Sequence, residues 1–204
     1  MPSSGKRVFY ADRVFHVDEN VYEPAEDSFF FAENLSIKSD AVVLDVGTGC
    51  GILGILAAAR ALRVIAIDFN PFAVRCAKEN AVLNRATEKC SVVQGDLFMP
   101  VNPVRQFDTV LFNAPYLPTE DHEGDSWVEQ AWSGGVSGRN VIDRFITEVP
   151  RYLNAGGQVF LLQSTLSGVE ETLRRFRGSG LNANVAAQRD LPFFESLVLV
   201  VAGH

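Results

Sequence analysis

The sequence predicts an α/β fold: a seven-stranded, mostly parallel sheet with helices on both faces, closed by a C-terminal antiparallel hairpin. Three observations predict it. Five β–α alternations run from Ala41 to Arg177, each opening on a short apolar stretch. A glycine-rich turn, Val46-Gly-Thr-Gly-Cys-Gly51, joins the first stretch to its helix. Finally, Asn184–Arg189 and Ser196–Val201 read as strands separated only by a short connection around Leu191-Pro-Phe-Phe-Glu195, so they pair antiparallel.

Composition bounds the function. The 204 residues are 47% hydrophobic and 21% charged, which suits one globular domain with a full core. A net charge of −7 argues against unaided binding to a nucleic acid. No apolar run approaches the roughly 18 residues that would cross a bilayer, and the polar N-terminus has no signal-peptide character. Cys50, Cys76 and Cys90 are odd in number and widely spaced, and His16, His122 and His204 are scattered. No disulfide framework or metal site is expected, and a reducing cytoplasm fits best.

In order, residues 7–17 read as a hairpin, followed by a turn at Asp18-Glu-Asn20. Phe29–Leu35 reads as a helix with Pro24 in its first turn, and the acids Glu23, Glu26 and Asp27 suit the helix dipole. Ala41–Asp45 is a buried strand, and Ile52–Leu62 has the composition of a packed helix. Gly47 follows the strand directly, so Asp45-x-Gly47-x-Gly49-x-Gly51 is preferred over the overlapping dinucleotide pattern that ends at Gly54. An acid closing the strand, with three alternating glycines, is the S-adenosylmethionine pattern. Glycine backbone there accommodates the cofactor's methionine part. Gly54, inside the helix, allows close helix–strand packing.

Val64–Asp68 is the next strand, and its terminal acid stands at the distance from the glycine turn where a carboxylate accepts ribose hydroxyls. Asn70 caps a helix over Phe72–Leu83, with Pro71 at its first position. Ser91–Leu97 brings Asp96, a candidate acceptor for an adenine amino group, and Leu97, an apolar contact with a backbone N–H. Thr109–Phe112 is a buried strand ending at Asn113, and Pro115 stops the ladder and biases Ala114 towards an extended backbone. The Asn113 amide, an exposed Ala114 carbonyl and the Tyr116 ring would then suit a planar NH2 group: two acceptors and an aromatic wall. Asp45, Asp68, Asp96 and Asn113 thus end four strands, at the edge where ligands of open α/β sheets collect. Leu117–Ser137 is a long acidic loop containing Trp127 and Trp132. Gly134-Gly-Val-Ser-Gly138-Arg139 leads into a helix over Asn140–Leu153. Ala155-Gly-Gly157 reads as a turn, Gln158–Gln163 as the fifth strand and Glu170–Arg177 as a helix.

Val21-Tyr-Glu-Pro-Ala-Glu-Asp-Ser28, the Asp45-x-Gly-x-Gly-x-Gly51 turn and Asn113-x-Pro-Tyr116, in that order, resemble the HemK-like protein glutamine methyltransferases, specifically their archaeal and eukaryotic branch. The resemblance covers nearly the whole chain. It implies a Rossmann-like class I methyltransferase fold over residues 1–204. In it, residues 1–36 form a hairpin and helix over the cofactor site, and residues 37–204 form the core. Bacterial members carry a separate N-terminal helical domain, which the short run ahead of Val21 would not supply. Also implied are S-adenosylmethionine as methyl donor, S-adenosylhomocysteine as product, and the glutamine of the Gly-Gly-Gln loop of a class I translation termination factor as acceptor. Tyr22 and Ser28 are implied to lie against the cofactor, with Asp45, Gly47, Gly49, Gly51, Asp68, Asn70, Asp96, Leu97 and Asn113. The family's Asn-Pro-Pro-Tyr box has Ala114 in place of its first Pro. Because the expected contact uses the backbone carbonyl, function is expected to survive.

The expected reaction is direct displacement at the sulfonium methyl, with Asn113 Oδ1 and the Ala114 carbonyl orienting the acceptor nitrogen. An exocyclic adenine amine fits the same box, so N6-adenine methylation of nucleic acid is the enzyme alternative, and lysine methylation is another; a non-catalytic, cofactor-binding subunit is a third reading. The branch also implies a small zinc-binding activator subunit. The strand near Ser91–Gln94, expected at the sheet edge, is where it would dock.

Overall fold

The computed structural model describes residues 5–119, 126–192 and 195–204. Residues 120–125 of the acidic loop, His122 among them, and Phe193–Phe194 of the last connection lie outside the described residues. The chain divides into two compact units, residues 1–102 and 103–204.

The first unit opens with β1 (Lys6–Tyr10) and β2 (Arg13–Val17), paired antiparallel around Ala11, whose φ is +52°. Helix α1 covers Glu26–Glu33. It starts earlier than expected and leaves Pro24 outside, ahead of the extended N-cap residue Ala25. Its ring-bearing face is buried at Phe30 and Phe31. Then come β3 (Val42–Val46), α2 (Ile52–Ala58), β4 (Arg63–Asp68), α3 (Pro71–Leu83) and β5 (Cys90–Gln94). The parallel strands lie in the order β5-β4-β3, with β5 terminal. Val43, Leu44, Ala66 and Ile67 are fully enclosed, as strands covered on both faces require. Helix α2 stops at Ala58 instead of Leu62. Its last turn tightens into bonds from Ala59 and Arg60 N–H to Leu56 and Ala57 carbonyls, which satisfies the orphan carbonyls before β4 begins.

The second unit contains β6 (Phe107–Asn113), the short helix α4 (Trp127–Gln130), α5 (Asn140–Glu148), β7 (Leu153–Ser164), α6 (Val169–Gly178), β8 (Asn182–Asp190) and β9 (Ser196–Gly203). Its strand order is β6-β7-β9-β8, with β6 parallel to β7 and the β7-β9-β8 pairs antiparallel. Phe112 and Phe145 stack, with ring centroids 4.4 Å apart, seating α5 on the sheet.

Three expectations change here. The loop after Tyr116 is not structureless, because a Ser126/Glu129 capping box starts α4 within it. Helix α5 ends at Glu148, where Val149-Pro-Arg151 winds into a 3-10 turn around Pro150. And Ala155-Gly-Gly157 does not separate helix from strand. It lies inside β7 as an irregularity, the register on β6 jumping between the Phe107–Leu153 and Thr109–Gln158 pairs.

Candidate cofactor and acceptor sites

The glycine turn is built by two carboxylates. Asp45, near the end of β3 and 1% exposed, accepts through Oδ2 from the Thr48 hydroxyl (2.6 Å) and the Gly54 N–H (2.9 Å). This explains Gly54: a Cβ there would stand 2.8 Å from that same oxygen. Asp68, ending β4, accepts the Gly49 N–H on Oδ2 (2.8 Å) and the Asn70 N–H on Oδ1 (2.9 Å). The turn itself runs through positive φ at Gly47, Gly49 and Gly51 (+64°, +57° and +90°), a path closed to most side chains. Burial raises the Asp68 carboxyl, against the lowering effect of its backbone donors. Asp45 is pushed up to about 7, first by burial and lastly by the Asp68 charge, while Thr48 and Gly54 pull it down.

The turn fits the group that the sequence pattern implies. Asp45 Oδ1 is buried with no hydrogen-bond partner among the described residues. A Cβ on Gly49 would meet nothing within 4 Å, so the backbone faces open space there.

The other predicted cofactor residues have definite places in the same unit. Asn70 caps α3 by accepting from the Phe72 N–H (2.9 Å) and donates to the Asn20 carbonyl (2.9 Å). Asp96 and Leu97 lie in the turn beyond β5, with Leu97 at φ +47° and buried. Tyr22 donates its hydroxyl to Asp27 Oδ1 (3.1 Å), which also accepts from the Ser28 N–H (2.6 Å) and hydroxyl (3.2 Å). Burial, followed by the Asp27 charge, raises the Tyr22 phenol, so it stays a donor. Asp27 is therefore more than a dipole-matching charge: it ties Tyr22 to Ser28.

Asn113–Tyr116 lie in the second unit, at the carboxyl end of β6. The Ala114 N–H donates to the Leu162 carbonyl (3.3 Å), which continues the ladder one residue past the strand. Ala114 is 3% exposed overall, where the sequence predicts an exposed carbonyl. Asn113, Pro115 and Tyr116 are half-buried.

Comparison with known proteins gives the family. A family model for the methyltransferase small domain matches residues 23–188. A Methanocaldococcus jannaschii protein, provisionally named a protein N5-glutamine methyltransferase, is 43% identical over 181 residues, spanning 88% of this chain and 90% of that one. The chain belongs to the HemK-like protein N5-glutamine methyltransferases. Human methyltransferase HEMK2 is 33% identical over 83% of this chain and 84% of its own length. Among solved structures, the E. cuniculi Mtq2-Trm112 complex, described as responsible for methylation of the eRF1 translation termination factor, superposes with a TM-score of 0.69. It is 25% identical and covers 90% of this chain and 98% of its own. The predicted class I methyltransferase fold is thereby established.

Two residues of this methyltransferase site escaped sequence reasoning. Thr48, to which the sequence by itself assigns no role, donates its hydroxyl to Asp45. Asn80, likewise unassigned, is fully buried. Its Nδ2 donates to the His16 (2.7 Å) and Cys50 (2.8 Å) carbonyls, and its Oδ1 accepts the His16 N–H (2.8 Å). One amide thus fastens β2 and the glycine turn to α3. Asn80→Ala leaves three backbone groups without that partner and is expected to cost about 2–5 kcal/mol. Thermal unfolding with and without S-adenosylmethionine checks this, and a wild-type melting temperature would refute it.

Proposed function

We propose that this methyltransferase carries a methyl group from S-adenosylmethionine to N5 of the glutamine in the Gly-Gly-Gln motif of a class I translation termination factor, releasing S-adenosylhomocysteine and one N–H proton to solvent. The observation that carries the reading is the Asn113-x-Pro-Tyr116 box at the end of β6, its Ala114 amide spent on Leu162. We read the Asn113 Oδ1 and the Ala114 carbonyl as the two acceptors of an incoming NH2 group. The names of the M. jannaschii relative and the E. cuniculi complex support the acceptor class.

When bound, S-adenosylmethionine supplies an electrophilic methyl group on a sulfonium. Gly47, Gly49 and Gly51 offer it backbone at close approach, and Asp45 offers Oδ1 to its methionine end. Asp68 and Asn70 take the ribose, Asp96 and Leu97 the adenine, and Tyr22 and Ser28 complete the enclosure. On the acceptor side, an amide nitrogen is a poor nucleophile because its lone pair is delocalised. Asn113 Oδ1 and the Ala114 carbonyl accept its two hydrogens and stabilise positive charge developing on nitrogen, while Tyr116 walls its flat face. Pro115 holds the carbonyl's direction. We further read both units as one catalytic domain, since the family match runs across their boundary. It would work in the cytoplasm beside the translation machinery.

The test is methyl transfer from labelled cofactor to a recombinant termination factor, beside its Gly-Gly-Gln→Gly-Gly-Ala variant. Label on the first and none on the second is expected. Equal label on both would move the acceptor elsewhere, to a lysine or another group, and label on a nucleic acid instead would support the adenine alternative.

We assign the terminal strand β5 to a small zinc-binding activator subunit, in a heterodimer. Val93 on β5 is 39% exposed, and Phe69 and Met99 in the same unit are also exposed. Unpaired strand edges with apolar side chains invite strand addition. Val93→Glu is expected to abolish co-purification with the co-expressed partner while leaving the cofactor-binding constant unchanged. Undiminished co-elution would remove β5 from the interface.

A further inference from the structure

The Gly134–Arg139 segment, which the proposed reaction leaves without a role, is built against the exit of the box. Leu117 N–H donates to the Trp132 carbonyl (3.0 Å), Gly134 N–H to the Leu117 carbonyl (2.8 Å) and Thr119 N–H to the Gly135 carbonyl (3.1 Å). Residues 117 and 133 form a parallel bridge. Gly138, at φ +68°, passes so close that a Cβ would stand 2.4 Å from the Tyr116 carbonyl oxygen. The next residue, Arg139, is 9% exposed. Its Nη1 donates to the Ser167 and Gly168 carbonyls and to the Thr172 hydroxyl, and its Nη2 to Asp143 Oδ1 (2.7 Å). Its two terminal nitrogens thus reach two carbonyls at the start of α6, a hydroxyl within it and a carboxylate within α5, while Nε is buried without a partner among the described residues. A guanidinium used this way has an anchoring function that a lysine, with one point charge, does not reproduce.

We propose that Arg139 and Gly138 are positioning residues for methyl transfer. Arg139 fastens the glycine segment to α5 and α6, and the segment, through Gly138, fixes the Tyr116 backbone and hence the direction of the Asn113–Tyr116 acceptors. This rests on the reading of that box as the acceptor site. A displacement of about an ångström at reacting groups is enough to cost up to a hundredfold in rate. The load falls on kcat, because every residue in this chain of contacts belongs to the second unit while the glycine turn belongs to the first.

The experiment compares Arg139→Lys, Gly138→Ala and Thr172→Val with Asn113→Ala, all in the full chain and assayed well below each variant's melting temperature. Measured are kcat and KM for a Gly-Gly-Gln-containing termination factor, and the dissociation constant for S-adenosylmethionine. Expected are losses in kcat of about tenfold or more for Arg139→Lys and Gly138→Ala, and about threefold for the isosteric Thr172→Val, with cofactor affinity held within about twofold. A purely structural role would lower the melting temperature and leave kcat of the folded fraction intact. Wild-type kcat in folded Arg139→Lys or Gly138→Ala overturns the proposal. Should both fail to fold, Thr172→Val decides, and an unchanged kcat there overturns it. If Asn113→Ala is itself fully active, the box reading fails first. An inactive Asn113→Ala beside fully active Arg139→Lys and Gly138→Ala rejects the positioning role alone.

Discussion

Asn113→Ala is expected to lower kcat for methyl transfer by about 10²–10³-fold, with the dissociation constant for S-adenosylmethionine changed by no more than about threefold. Asn113 closes β6, and the register of that strand is fixed by β7 up to the Asn113–Leu162 pair. Alanine keeps the backbone and the Ala114–Leu162 hydrogen bond, so the strand end should keep its place. What disappears, on the proposed reading, is an acceptor for the amide N–H. Such an acceptor gains strength as positive charge develops on nitrogen, so its loss falls on the transition state more than on ground-state binding. Single-turnover rates beside equilibrium cofactor binding separate the two quantities. Near-wild-type turnover would remove Asn113 from the mechanism.

Asp68→Ala is expected to act on the opposite side of the balance, weakening S-adenosylmethionine binding by about a hundredfold or more. In the structure, Asp68 holds both the Gly49 and the Asn70 N–H groups, so the turn loses two charge-assisted hydrogen bonds even before the ribose loses its acceptor. Bonds of that kind are worth about 1.5–3 kcal/mol each, and a tenfold change in affinity corresponds to about 1.4 kcal/mol. Asp68→Asn should be nearly as damaging. It keeps one acceptor but turns an NH2 towards a backbone donor. Isothermal titration with the cofactor gives the answer directly, and a dissociation constant within about threefold of wild type for Asp68→Ala would show that the ribose is held elsewhere.

The two substitutions probe features that the sequence displays with unequal clarity. The alternation of apolar strands and helices, the glycine turn and the Asn70-Pro71 cap of α3 follow from side-chain periodicity, positive φ and capping, all set by residues within a few positions of each other. Asp45, Asp68 and Asn113 could be picked out because a polar residue ending an apolar run is itself a local signal. Their hydrogen-bond partners gave no such signal. Asn80 meets His16 across 64 residues of chain, and Arg139 meets Thr172 across 33. Nothing near an asparagine or arginine in sequence tells whether it faces water or buried backbone groups. Local reasoning also erred where packing overrode propensity. Ala155-Gly-Gly157 reads as a turn, but pairing of β7 with β6 and β9 carries the strand through it. The sequence by itself determined the order of elements, the glycine turn and the candidate residues for cofactor and acceptor. Only the tertiary structure decided which buried amide, hydroxyl and guanidinium hold those residues in place, because a desolvated polar group must find its partner wherever the fold brings one within reach.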